Sequence, residues 1–90
     1  MDDFWVDLRA AEADLQAAVD VIVRERSLER RLSVNVSIDS FNKQIVTTAK
    51  VWGYDTVPVI YQIPELIERG TTFNALTDLM VDVFCWGYVR

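Results

Sequence analysis

Between Leu32 and Asp39 apolar and polar residues alternate without a break: Leu32, Val34, Val36 and Ile38 against Ser33, Asn35, Ser37 and Asp39. A period of two over β-branched residues predicts a strand with one buried and one wet face. Ser40–Lys43 suits a turn, and Gln44–Tyr54 forms a second β-rich run, so the pair reads as a hairpin. With Phe41-Asn42 at the turn, Ile38 pairs with Ile45, Val36 with Thr47, Val34 with Ala49 and Leu32 with Val51. A one-residue slip would bury Lys50, which is costly without a partner. This register leaves Ser33, Asn35, Ser37, Val46, Thr48, Lys50, Trp52 and Tyr54 on the open face.

Upstream, Phe4, Leu8, Ala11, Leu15, Val19 and Ile22 recur every three or four residues, and neither Gly nor Pro interrupts. This predicts one long helix from about Asp2 or Asp3 to Arg30, its stripe fading after Ile22. Downstream, Val57–Ile63 reads as a third strand, with Pro58 at its start or on an edge because it lacks a ladder donor. Pro64 opens a short helix over Glu65–Arg69, which Gly70 stops. Thr71 or Thr72 caps a last helix that runs to about Trp86 and ends at Gly87. Phe73, Leu76, Met80, Val83 and Phe84 form its stripe, with Leu79 beside it. The expected fold is a single α+β domain over residues 1–90, αβββα, with a three-stranded antiparallel sheet and two main helices on one face. Trp-Gly-Tyr occurs at Trp52–Tyr54 and at Trp86–Tyr88, but the flanks differ, so it is no internal repeat.

Composition narrows the chemistry. Ninety residues suit one domain, and 51% apolar content is enough for a core. No run reaches the roughly 20 apolar residues that span a bilayer, and the acidic start is unlike a signal peptide. A soluble, cytoplasmic protein is expected. The single Cys85, between Phe84 and Trp86, reads as a buried, inert thiol. Histidine is absent, which removes histidine metal sites and histidine-based nucleophile systems. Asp78/Asp82 and Glu65/Glu68 have helical spacing that would suit acid–base or metal chemistry, but Asp78 and Asp82 fall between apolar positions and read as a solvated face. No glycine-rich phosphate loop exists. Catalysis, cofactor and metal are therefore not expected.

The net charge of −5 is uneven. Asp2, Asp3, Asp7, Glu12, Asp14 and Asp20 stand against Arg9 in residues 1–20, whereas residues 21–31 hold Arg24, Arg26, Arg30 and Arg31 against Glu25 and Glu29. Acids early and arginines late complement a helix dipole, so the gradient needs no ligand. The helix–strands–helix order is similar to that of double-stranded RNA-binding domains. Where those carry lysines at the start of the second helix, however, this chain has Thr71–Leu76 without positive charge. Nucleic acid is not an expected partner.

What remains is a non-enzymatic interaction protein, acting through a protein partner or by homo-oligomerisation. Trp52 and Tyr54 with Lys50 and Val46 are the first candidate contacts, since Trp and Tyr are enriched at hot spots. The strand Leu32–Asp39 lacks the Lys or Pro that blunts an edge, which makes it a candidate homodimer edge. In size and charge the chain also resembles the compact acidic inhibitors that phages encode, anti-CRISPR proteins among them. That resemblance implies a first helix whose acids, Asp3, Asp7 and Asp14, imitate a nucleic-acid backbone on an arginine-rich partner.

Overall fold

A computed structural model describes residues 7–88, with side chains described as far as Trp86. The element order is α1 (Leu8–Glu25), β1 (Leu32–Asp39), β2 (Gln44–Val51), β3 (Tyr54–Asp55), β4 (Val59–Gln62), α2 (Ile63–Glu68) and α3 (Phe73–Tyr88). This is the α+β arrangement the pattern predicts, with helices packed against an antiparallel sheet.

The β1–β2 register is the expected one, from Leu32 opposite Val51 to Asp39 opposite Gln44. Its apolar set is buried: Leu32, Val34 and Val36 on β1, Ile45, Ala49 and Val51 on β2. Ser33, Asn35, Ser37 and Lys50 point to solvent, with Val46 and Thr48 half-buried. Thr47 is fully buried among the core-facing positions, and its hydroxyl donates to the Val59 carbonyl at 2.8 Å, so no polar group is stranded there. The turn is longer than two residues. Asp39 fastens it: one carboxylate oxygen accepts from the Phe41 and Asn42 amides, the other from the Asn42 side chain at 2.7 Å. The Asn42 amide holds the Asp39 carboxyl below its usual value.

α1 covers this face through Ala11, Leu15, Val19 and Val23. Asp7 caps it, extended at φ −120°, with its carboxylate accepting from the Arg9 and Ala10 amides. Phe4 and the Asp2 or Asp3 start lie outside the described residues. At the other end the expectation of a helix to Arg30 is wrong. Ser27 takes a left-handed φ of 57°, its amide donates to the Arg24 carbonyl, and Leu28 donates to Val23. This is a Schellman stop built on serine, and the burial of Leu28 draws the chain back toward the core. Gly70 makes the same stop after α2, where Gly70 donates to Ile67 and Thr71 to Leu66.

The third strand is broken. β3 pairs Lys50 with Asp55 and Val51 with Tyr54, whereas β4 pairs Thr47 with Val59 and Gln44 with Gln62. One residue more lies on the third strand between these registers, a bulge at the Val57-Pro58 step. Both pieces lie on the same side of β2, so β2 is central and β1 and β3/β4 are edges. On β4, Val59 and Tyr61 face the core and Ile60 the open side.

α3 begins after Thr72, whose hydroxyl accepts from the Ala75 amide. Its buried positions are Leu76, Thr77, Met80, Val81 and Phe84, so Thr77 and Val81 replace Phe73 and Val83, which are half-buried. Gly87 does not end it; the helix continues to Tyr88. Cys85 is half-buried rather than buried.

Two outcomes test these packing arguments. Ser27→Gly removes the penalty of a left-handed non-glycine residue and should raise stability by about 1 kcal/mol in urea titration. The buried Tyr61 hydroxyl has no hydrogen-bond partner among the described residues, and burial pushes the phenol up. Native Tyr61 therefore holds its proton more tightly than unfolded Tyr61. Its contribution to stability is complete below about pH 10 and is lost as pH rises through the raised value. Tyr61→Phe should stabilise by about 1 kcal/mol at neutral pH and flatten this alkaline loss.

Candidate functional site

Trp52 and Gly53 form the two-residue connection between β2 and β3, both at positive φ, 54° and 83°. Two positive φ values in succession match the twist of a tight hairpin, which normally selects Asn-Gly or Gly-Gly. A tryptophan in the left-handed region is strained by roughly 1–3 kcal/mol. The strain is held by the pairing of Val51 with Tyr54 and by the Trp52 amide, which donates to the Arg31 carbonyl at 2.9 Å. The ring gains little from this placement, because Trp52 is 61% exposed.

Around this turn the structure gathers part of the expected set. Lys50 lies on the open face opposite Ser33 on β1 and Asp55 on β3, an opposite-charge cross-strand neighbour. Tyr54 is 79% exposed but is not on the open face. It pairs with Val51, and paired residues share a face, so it stands on the core side, uncovered there. The alternation that placed it with Trp52 is reset by the turn. Val46 lies elsewhere, beside Ile60 and Ser37 nearer the first hairpin turn.

Val57 at the bulge and Ile60 on the open face are exposed and were not singled out by the pattern. Their signal is the parity change after the bulge, which composition does not mark. Phe41 is the most exposed large apolar residue described, at 91%, on the turn fastened by Asp39. A shallow depression of about 380 Å³ opens beside Lys50, lined by Ser33, Asn35, Thr48, Asp55 and Thr56.

The acidic candidates are elsewhere. Asp7 is engaged as the α1 cap and Asp14 is exposed, while Asp3 lies outside the described residues. Glu12 reaches Ile38 near the first hairpin turn, so the start of α1 and the Trp52 turn occupy opposite ends of the sheet. Asp78 and Asp82 do not form a bare carboxylate face. Arg26 bridges both, and its bond to Asp82 raises the guanidinium pKa. No cluster of metal-ligating side chains occurs among the described residues, and no helix among them is long and apolar enough to cross a membrane.

The β1 edge is occupied from within the chain. Outward-facing Val34 C=O and Val36 N–H are taken by the Gln16 amide, each at 2.8 Å, and Ile38 N–H is 3.4 Å from the Glu12 carboxylate. Three of the outward groups that an added strand would use are therefore engaged.

No family model, curated protein or solved structure matches this chain.

The strain at Trp52 has a measurable signature. Asparagine tolerates left-handed φ, so Trp52→Asn should lie within about 1 kcal/mol of the parent, relief of strain offsetting the lost partial burial of the ring. Trp52→Ala gains no such relief and should be about 1 kcal/mol less stable than the asparagine variant, read by urea or thermal unfolding.

Proposed function

We propose that this chain is a non-enzymatic interaction module that docks on a protein partner through the end of the sheet carrying Trp52, Tyr54 and Val57, with Lys50 and Arg31 at the rim. The observation that carries the reading is Trp52 itself. A large aromatic held at a backbone angle that disfavours it, and left mostly outside the core, gives the fold less than a smaller turn residue would. An exposed Trp with Lys50 near it, and an exposed Tyr on the other face of the same sheet end, has the composition of an interface hot spot. The absence of histidine and the ion-paired Asp78 and Asp82 support the non-enzymatic part of the reading.

The reading as a phage-type inhibitor with a nucleic-acid-like first helix has less support. Asp7 is committed to capping, and the exposed surface of α1 carries Ala10, Ala13 and Ala17 among its acids.

Affinity capture from cells of the source, with the parent chain and Trp52→Asn in parallel at low and raised salt, tests the reading. Docking through Trp52 should survive salt, which screens exposed charges beyond about 8–10 Å near physiological strength, and should fall at least roughly tenfold in the variant. A partner that ignores Trp52→Asn and is released by salt would shift the interface to the acidic helix.

A further inference from the structure

We propose that Gln16 is a stopper that keeps a second copy of this chain off β1, and that this edge is a latent self-association site. The argument starts from the direction of the β1 amides. Ser33, Asn35 and Ser37 turn their backbone groups toward β2, leaving those of Val34, Val36 and Ile38 for the outer edge. β1 carries neither Pro nor Lys, so nothing on the strand prevents pairing. The protection comes from α1, 18 and 20 residues away in sequence. The Gln16 amide donates to the Val34 carbonyl and accepts from the Val36 amide, so it occupies one outward group of each of the two residues an antiparallel neighbour would pair with. Its nitrogen also donates to Asp20 at 3.0 Å, which fixes the side chain in that pose.

Space for a strand lies on both sides of this bar. One depression of about 470 Å³ is bounded by Arg9, Glu12, Ala13 and Gln16 against Asn35 and Val36. Another of about 430 Å³ lies between the Asp20–Arg24 turn of α1 and the start of β1. Both are shallow and open, and they flank Gln16 along the line between helix and edge strand, where an extended segment would add to the sheet.

The occupant that fits is β1 of a second copy, antiparallel across a two-fold axis near Val36. The chemistry is self-complementary about that axis. Gln16 stands beside Val34 and Val36 and Glu12 near Ile38, so the α1 turn holding Ala13 and Gln16 is level with Val36. A two-fold rotation there carries Asp20 of one copy toward Arg9 of the other, and Arg9 makes no ion pair among the described residues. Small Ala13 at the crossing lets the two helices approach. Pairing through the opposite edge is less favourable, because the bulge and Pro58 interrupt its outward groups.

The test compares the full chain with Gln16→Ala and Gln16→Met by sedimentation velocity across a concentration series, alongside amide exchange at Val36. The parent should remain monomeric where the variants dimerise at least tenfold more tightly. In the variants Val36 should be protected when concentrated and exchange on dilution. Adding Arg9→Glu to Gln16→Ala should loosen the dimer by about tenfold, since it turns two symmetry-related attractions into repulsions. Gln16→Met preserves side-chain length, so it carries the test if the alanine variant does not fold. Folded variants that stay monomeric, or a parent that dimerises as tightly as they do, would overturn the proposal; so would a dimer indifferent to Arg9→Glu.

Discussion

The structure depends on one constraint: a small sheet has a single greasy face, and everything else is placed to keep water from it. Leu32, Val34 and Val36 on β1 and Ile45, Ala49 and Val51 on β2 can be hidden together in only one register. α1 supplies Leu15, Val19 and Val23 over them, and α3 adds Leu76, Met80, Val81 and Phe84. Where the chain must reverse to maintain this cover it accepts local strain. Among the described residues three non-glycines, Ser27, Lys43 and Trp52, have positive φ, and each sits at a reversal next to the sheet. Tertiary burial outweighs an unfavourable backbone angle of the order of 1 kcal/mol at each.

How much of this was legible depended on whether a feature left a mark within a few residues of itself. The hairpin register was readable because eight consecutive residues repeat with period two and because a slip would bury Lys50. The stop after α2 was readable because its left-handed residue is glycine. The same hydrogen-bond motif after α1 was not, because serine is an unremarkable residue and the decisive term is the burial of Leu28, a tertiary fact. The bulge was half legible. Pro58 marked a strand start or an edge, but nothing local says that one extra residue is accommodated there.

The candidate site shows the same division. Trp52 is exposed because it stands in the two-residue turn itself, whereas Tyr54, the first residue after that turn, pairs with Val51 and so takes the opposite face to the one alternation predicts. Gln16 was invisible to pattern reading, since a glutamine on a helix flank looks solvated. Its partners are Val34 and Val36, and only the packing of α1 on β1 brings them within reach. Edge protection of this kind separates two properties that strand composition usually joins: β1 keeps a sequence able to pair, while the folded chain does not present it.

β2 ends at both of the exposed aromatic turns, Phe41 beyond one end and Trp52 beyond the other. Eight residues of antiparallel strand span about 25 Å. The central strand is therefore also a ruler that holds two apolar knobs apart at a fixed spacing. The two rings stand at opposite ends of the sheet, too far apart to belong to one small contact patch.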